Sequence, residues 1–206
     1  MSGNLVRDRR AERNAATRAE ILSAAWELVH AEGLIALAMR DLGARVGMRA
    51  QSLYVYYPSK HAIYDAMFAS SNRELLDRLM KLAPASDPVD GLRNVAQCFF
   101  TFCVEDPVRY QLLFQRPIPG FEPSPESYAP AVAVVDHARD AIQACGITDN
   151  RAFDVWTAIT SGLAAQQISN EPGGDRWLRL LDEVIDMYLA AYRPTPVPAQ
   201  TKAARR

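Results

Sequence analysis

The 206-residue sequence contains no apolar run approaching a membrane span, which takes ~18–20 residues. Cysteine is scarce. Cys98, Cys103 and Cys145 form no CxxC pair, and an odd count builds no closed disulfide framework. A reducing, cytoplasmic setting is the expectation. His30, His61 and His137 have no metal-ligand spacing with one another or with a cysteine. No GxSxG, HExxH, P-loop or GxGxxG pattern occurs, which excludes the enzyme classes that rest on those motifs. The N-terminal stretch MSGNLVRDRRAERNAATR has no apolar h-region, so no secretion signal is expected. No segment of any length alternates with the period of a strand. The expectation is a non-enzyme with no cofactor, no metal and no membrane partner.

The chain also lacks an excess of either charge. It has 23 basic and 24 acidic side chains, a net charge of −1. Taken whole, that argues against a nucleic-acid binder, which is usually basic. The average hides a split. Residues 1–60 hold nine basic and six acidic side chains, or +3, and residues 61–206 hold fourteen and eighteen, or −4. What is abundant is Ala (32) and Leu (19), both helix formers. With 49% hydrophobic and 23% charged residues, the chain reads as globular and all-α.

The pattern predicts about nine helices. Residues 1–13 carry Arg7, Arg9, Arg10 and Arg13 and read as a flexible basic arm, either solvated or laid on phosphate. Thr17 and Glu20 form a capping box before Ile21, Leu22, Ala25, Leu28 and Val29, giving a helix over 17–32 that Gly33 stops. His30 near its end suits the helix dipole. Two short helices follow at 39–46 and 50–56, joined by a turn at Gly47. Pro58 ends the second, and Ser59 caps a long helix over 60–82. Pro84 and Pro88 mark a linker before helices at 88–104 and 107–115. Five prolines make 117–130 a long loop, a lid or entrance if functional. Helices at 131–145, 149–170 and 175–192 complete the count, and 193–206 reads as a disordered tail.

Two short helices on a glycine turn outline a helix-turn-helix. The residues across it are Arg40-Asp41-Leu42, Gly47, Leu53-Tyr54, Tyr56-Tyr57 and Pro58-Ser59-Lys60, after an opening Thr17-Arg18, Ile21-Leu22 and Ala24-Ala25. This pattern, over residues 15–68, resembles the DNA-binding segment of the TetR (tetracycline repressor-like) family of bacterial regulators. The resemblance implies a reader over 14–60 and a ligand-binding and dimerisation domain over 61–192. Arg49, Gln51 and Ser52 lie near the start of the recognition helix, where Arg can pair with guanine and Gln with adenine. Tyr54 and Tyr56 are candidate phosphate donors, Arg40 lies on the supporting helix, and Lys60 adds charge at the next helix start. Leu42, Leu53 and Tyr57 are expected inside the core. Ala38 and Arg49 stand where the family commonly has a hydroxyl cap, and Ala50 and Val55 replace commoner polar residues.

The second half is less specific. Trp156 with Gly162-Leu163 resembles a Trp-His-Gly pattern of some actinobacterial members, with Ser161 before the glycine. Trp177, Leu178, Leu181, Val184, Ile185 and Tyr188 make a wide apolar face. The resemblance implies a homodimer through the last two helices, and the alternative is that the same face is internal core. Phe99, Phe102, Tyr110, Phe114, Phe121, Trp156 and Gln166 are candidates to line a pocket for a small apolar or amphipathic effector. The implied function is a repressor that binds a palindromic double-stranded DNA operator and is released by that effector. A dimeric helical ligand-binding protein with a degenerate reader is the second reading.

Overall fold

Ile21, Ala24, Ala25, Leu28 and Val29 recur at three- and four-residue intervals, and all are buried. In the computed structural model, which describes residues 2–193 and the side chains of 9–193, this stripe lies on helix α1, Ser2–Glu32. The other helices are α2 (Met39–Arg45), α3 (Ala50–Leu53), α4 (Lys60–Met80), α5 (Pro88–Glu105), α6 (Pro107–Phe114), α7 (Pro125–Ala144), α8 (Asn150–Asn170) and α9 (Leu181–Tyr192). Short 3-10 turns cover Leu34–Ala36 and Leu178–Leu180. The described residues contain no strand, and none of their helices is long and apolar enough to cross a membrane.

Several boundaries differ from the sequence expectation. The segment read as an arm is helical, because no proline or glycine interrupts it after Gly3 and its alanines and arginines favour helix. Thr17 therefore lies inside α1, where its hydroxyl donates to the Arg13 carbonyl instead of capping an end. α3 stops at Leu53, and Tyr56 closes an i+3 turn onto Leu53 O at 2.9 Å. Pro58 biases Tyr57 away from helical backbone, so the turn unwinds there. The expected loop 117–130 is shortened from its far end. Pro125 occupies the first helical position, where a missing N–H costs nothing, and the Ser124 hydroxyl accepts from Ser127 N at 3.2 Å. Pro130 lies within α7 and forgoes one intrahelical bond. The expected helix 175–192 becomes turns and a 3-10 segment before α9. The expected tail, past Arg193, lies outside the described residues.

The chain forms two compact units. The first comprises Met1–Lys81 and Thr101–Asp136, the second Leu82–Phe100 and His137–Arg206. This division differs from the expected cut at residue 60. The core of the first unit runs from Ile21, Leu28, Leu42 and Leu53 through Ile63, Tyr64 and Met67 to Leu112 and Ile118, so the start of α4 cannot be parted from the helices before it. The Tyr64 hydroxyl donates to the Leu34 carbonyl, and burial pushes this phenol up to about 12. Ion pairs knit α4 to the end of α5 and to α6. Glu74 accepts from Arg78 at 2.6 Å and from Arg109 at 2.9 Å, and Arg78 reaches Glu105 at 2.6 Å. Arg109 is buried, with its guanidinium carbon 3.8 Å from the Phe102 ring centroid.

In the second unit, Trp156 on α8 meets Tyr188 on α9 with ring centroids 5.3 Å apart, and the Tyr188 hydroxyl donates to Ala152 O at 3.1 Å. Leu181, Ile185 and Tyr188 are buried within the single chain. Their expected place on a dimer face is corrected: they share one side of α9 at i, i+4 and i+7, and that side packs on α8. Trp177, Leu178 and Val184 are half-buried.

Candidate nucleic-acid interface

The α2–turn–α3 unit is two-sided. Leu42 and Leu53 are 0% exposed and lock both helices onto the core, with Tyr57 behind them. The turn depends on two glycines. Gly47 adopts φ +65°, a left-handed conformation that other residues rarely take. Gly43 is buried on α2 and makes the close approach: a Cβ there would lie 2.7 Å from Met48 O and 3.3 Å from Ala50 N. The sequence reading missed Gly43, because a single glycine within a helix carries no signal of what backbone passes beside it.

On the outer side, Arg40, Arg49, Gln51, Ser52 and Tyr54 are exposed, and Tyr56 is half-buried. These side chains are thus open to solvent along the α2–turn–α3 segment and the residues that follow it. Among the described residues Arg40 pairs only with its neighbour Asp41, at 3.2 Å, and its side chain is 89% exposed. Exposed pairs of this kind contribute little, so the guanidinium can be recruited elsewhere. Neither Ala38 nor Arg49 makes a side-chain cap, as their residue types dictate. Ser59 does cap α4, accepting from Ala62 N at 3.1 Å.

Lys60 is placed differently from expectation. Its Nζ donates to the Ile35 carbonyl at 2.8 Å and lies 5.5 Å from the Tyr64 ring centroid. Burial lowers its pKa. The ammonium therefore ties the α1–α2 connection to the start of α4 before any other partner is met. Tyr57 is fixed likewise. Its hydroxyl donates to Arg18 O at 3.2 Å, and the Arg18 guanidinium carbon lies 5.1 Å from its ring centroid.

The expected pocket residues do not share one environment. Phe102, Tyr110 and Trp156 are buried within the packing of their own units. Phe121 sets its ring against His61 and Tyr64, at centroid distances of 6.0 and 5.8 Å. Phe99 is half-buried and Phe114 is 39% exposed. Gln166 is exposed and accepts from Asn170 on its own helix. The buried glutamine is its neighbour Gln167, which accepts from Trp177 N at 3.0 Å and donates to the Glu171 carbonyl. An α-helix advances 100° per residue, so a one-position error in phase turns a side chain out of the core. Among the described residues, no group of His, Cys, Asp or Glu is placed to hold a metal ion.

Known proteins resemble the chain in both sequence and fold. Residues 21–67, which contain α2, the turn and α3, match the family model described as bacterial regulatory proteins, tetR family. The HTH-type transcriptional regulator Rv1816 of Mycobacterium tuberculosis is 27% identical over 158 residues, 70% of this chain and 65% of the relative. The chain thus spans just under two thirds of that relative's length. A protein of unknown function from Rhodococcus sp. RHA1 has the same fold, with a TM-score of 0.72, 17% identity, and coverage of 86% of this chain and 95% of its own. A single-residue variant of TetR from Acinetobacter baumannii AYE, solved in complex with minocycline, superposes with a TM-score of 0.59 at 20% identity, covering 84% of this chain and 94% of its own. The match to the tetR family of bacterial regulatory proteins is thus centred on the helix-turn-helix segment, within residues 21–67.

Proposed function

We propose that the protein is a DNA-binding transcriptional regulator, a repressor that holds a palindromic operator as a homodimer and is released by a small amphipathic molecule. The observation that carries this reading is the two-sidedness of the reader. Leu42 and Leu53 are wholly buried, while Arg40, Arg49, Gln51, Ser52 and Tyr54 face solvent on the same short unit. An exposed set of hydrogen-bonding side chains on a rigidly seated helix is what a major groove reads. Gln51 and Arg49 are assigned to base edges. Arg40, Ser52, Tyr54 and Tyr56 are assigned to phosphates, which fix register. Lys60 is assigned to the phosphate side through the donors left after its bond to Ile35 O.

The excess of positive charge in residues 1–60 sits where this reader lies, and a dimer presents it twice. Two-fold symmetry of a protein requires two-fold symmetry of its site, hence a palindrome. The proposed dimer face is the outer side of α8 and α9, where Ala158, Gly162 and Met187 are exposed and Val184 is half-buried. Trp177 and Leu178 border it, and Leu181, Ile185 and Tyr188 support it from within the chain. Minocycline in the Acinetobacter protein supports a small organic molecule as the class of effector. Such a molecule acts by binding one arrangement of the two readers better than the other.

The test is a fluorescence-anisotropy titration of the full chain on duplex DNA from upstream of its own gene, run over a salt series. The reading predicts site-selective binding that weakens steeply with salt. Equal affinity for an unrelated duplex at every salt concentration would overturn it.

A further inference from the structure

Val55 is an apolar side chain set among polar ones, and it is 75% exposed. The backbone fixes the side on which it stands. Val55 N donates to Ser52 O at 3.3 Å and Tyr57 N to Leu53 O at 2.8 Å, so the chain winds through one further turn after α3. Leu53 and Tyr57 are buried, an i, i+4 pair on the core side of that turn. Val55 stands two residues from each of them. At about 100–120° per residue, two residues lead to the opposite side of the winding. Gln51 stands two residues before Leu53 and shares that outer side with Val55. Ser52 lies one turn before Val55, and both Gln51 and Ser52 are exposed. A single surface valine is ordinary. This one follows directly, on the same side, the residue assigned to base reading.

We propose that Val55 is a specificity-determining residue whose partner is the C5 methyl group of a thymine in the major groove. The proposal rests on the DNA-reading function above and adds a base contact to it. Of the four bases, only thymine presents a methyl group in that groove, and the other edges present donors and acceptors. An isopropyl group laid on guanine O6 or on a phosphate strips water from a polar atom and returns no hydrogen bond. Laid on the thymine methyl, it removes apolar surface of both partners from water. A β-branched side chain is also stiff about its first torsion, so the contact orders little that was free. The positive excess of residues 1–60 draws a polyanion to this segment, which selects DNA over an apolar protein surface as the occupant.

The probe is the duplex that the full chain selects from a random-sequence library, with deoxyuridine placed at one thymine position at a time in both half-sites. Uracil keeps every hydrogen-bonding atom of thymine and lacks only the methyl group. At one position the change should weaken binding about fourfold per half-site, or ~0.8 kcal/mol at 1.4 kcal/mol per tenfold. That penalty should stay constant over a salt series, because no charge is gained or lost. Val55→Ser should erase it. Val55→Thr, which keeps one methyl group, should retain part of it, and Gln51→Ala should leave it in place. Val55→Ser should melt with the wild type, since the side chain is exposed. A selected duplex with no uracil-sensitive position would overturn the assignment. So would a penalty that survives in Val55→Ser, because the methyl group then acts through the shape of the duplex. In both cases DNA reading itself stands. A library that yields no enriched sequence removes the reader, and this contact with it.

Discussion

The Asp65 carboxylate on α4 accepts a 2.7 Å hydrogen bond from the backbone N–H of Ser124, the residue that caps α7. The Ser124 and Ser127 hydroxyls donate to the same carboxylate. One side chain in the long helix thus satisfies the start of another helix 59 residues later, and a shift of either is felt by both. Asp65→Ala leaves three donors unmet. It should cost ~1–3 kcal/mol in urea unfolding and speed amide exchange over residues 124–128. An unchanged urea midpoint would contradict this link.

The helix-turn-helix depends on Gly43 for a close approach of backbone. A methyl group at this position meets Met48 O at 2.7 Å, and backbone cannot turn aside as a flexible side chain can. Gly43→Ala should destabilise by ~1–3 kcal/mol and displace α3 from α2. DNA affinity should fall further than the loss of stability explains. Wild-type melting and wild-type DNA affinity together would show that the turn tolerates the methyl group.

Alkaline pH should unfold the protein through its buried phenols. Burial pushes Tyr64 and Tyr188 up to about 12 and raises Tyr57, where the nearby Arg18 pulls the other way. In the unfolded chain these groups ionise near ~10. Below that pH both states hold the proton and stability is full. As pH rises toward about 12 the unfolded state loses protons first, so stability falls. Tyr64→Phe loses the bond to Leu34 O and is less stable at neutral pH, but its melting temperature should decline less steeply above pH ~10. A decline as steep as that of the wild type would remove Tyr64 from this account.

Base reading and phosphate contact separate by their salt signatures. Arg40→Ala should weaken binding to all sequences alike and reduce the salt slope by about one. Tyr54→Phe should also weaken all sequences, by loss of one hydroxyl donor. Gln51→Ala should instead relax preference at a single base pair, where a good bidentate contact discriminates by ~1–3 kcal/mol. An unchanged preference in Gln51→Ala would take base reading away from this residue.

Features that depend on near neighbours in the chain were legible in the sequence. The α1 stripe of Ile21, Ala25, Leu28 and Val29, the left-handed Gly47 and the Ser59 cap each depend on residues a few positions away. The inward Leu42 and Leu53 and the outward Arg49 and Gln51 follow from the same helical phase. The start of α7 was also available locally, in Ser124 before Pro125, but a count of prolines over 117–130 obscured it. Long-range pairings were not legible. Nothing near Lys60 in the sequence announces the Ile35 carbonyl, and nothing near Asp65 announces Ser124. The apolar face of Leu181, Ile185 and Tyr188 shows the same limit. Periodicity marks the face, and only the fold shows that α8 covers it.

Selection of bound duplexes from a random-sequence library by the full chain tests the central claim most directly. The account predicts enrichment of two-fold-symmetric sites whose half-sites are centred about 10–10.5 bp apart or a multiple of that, with one half-site position losing its preference in Gln51→Ala. A library that emerges without an enriched motif, or with one indifferent to Gln51 and Arg49, would contradict a reader built on α2, the turn and α3.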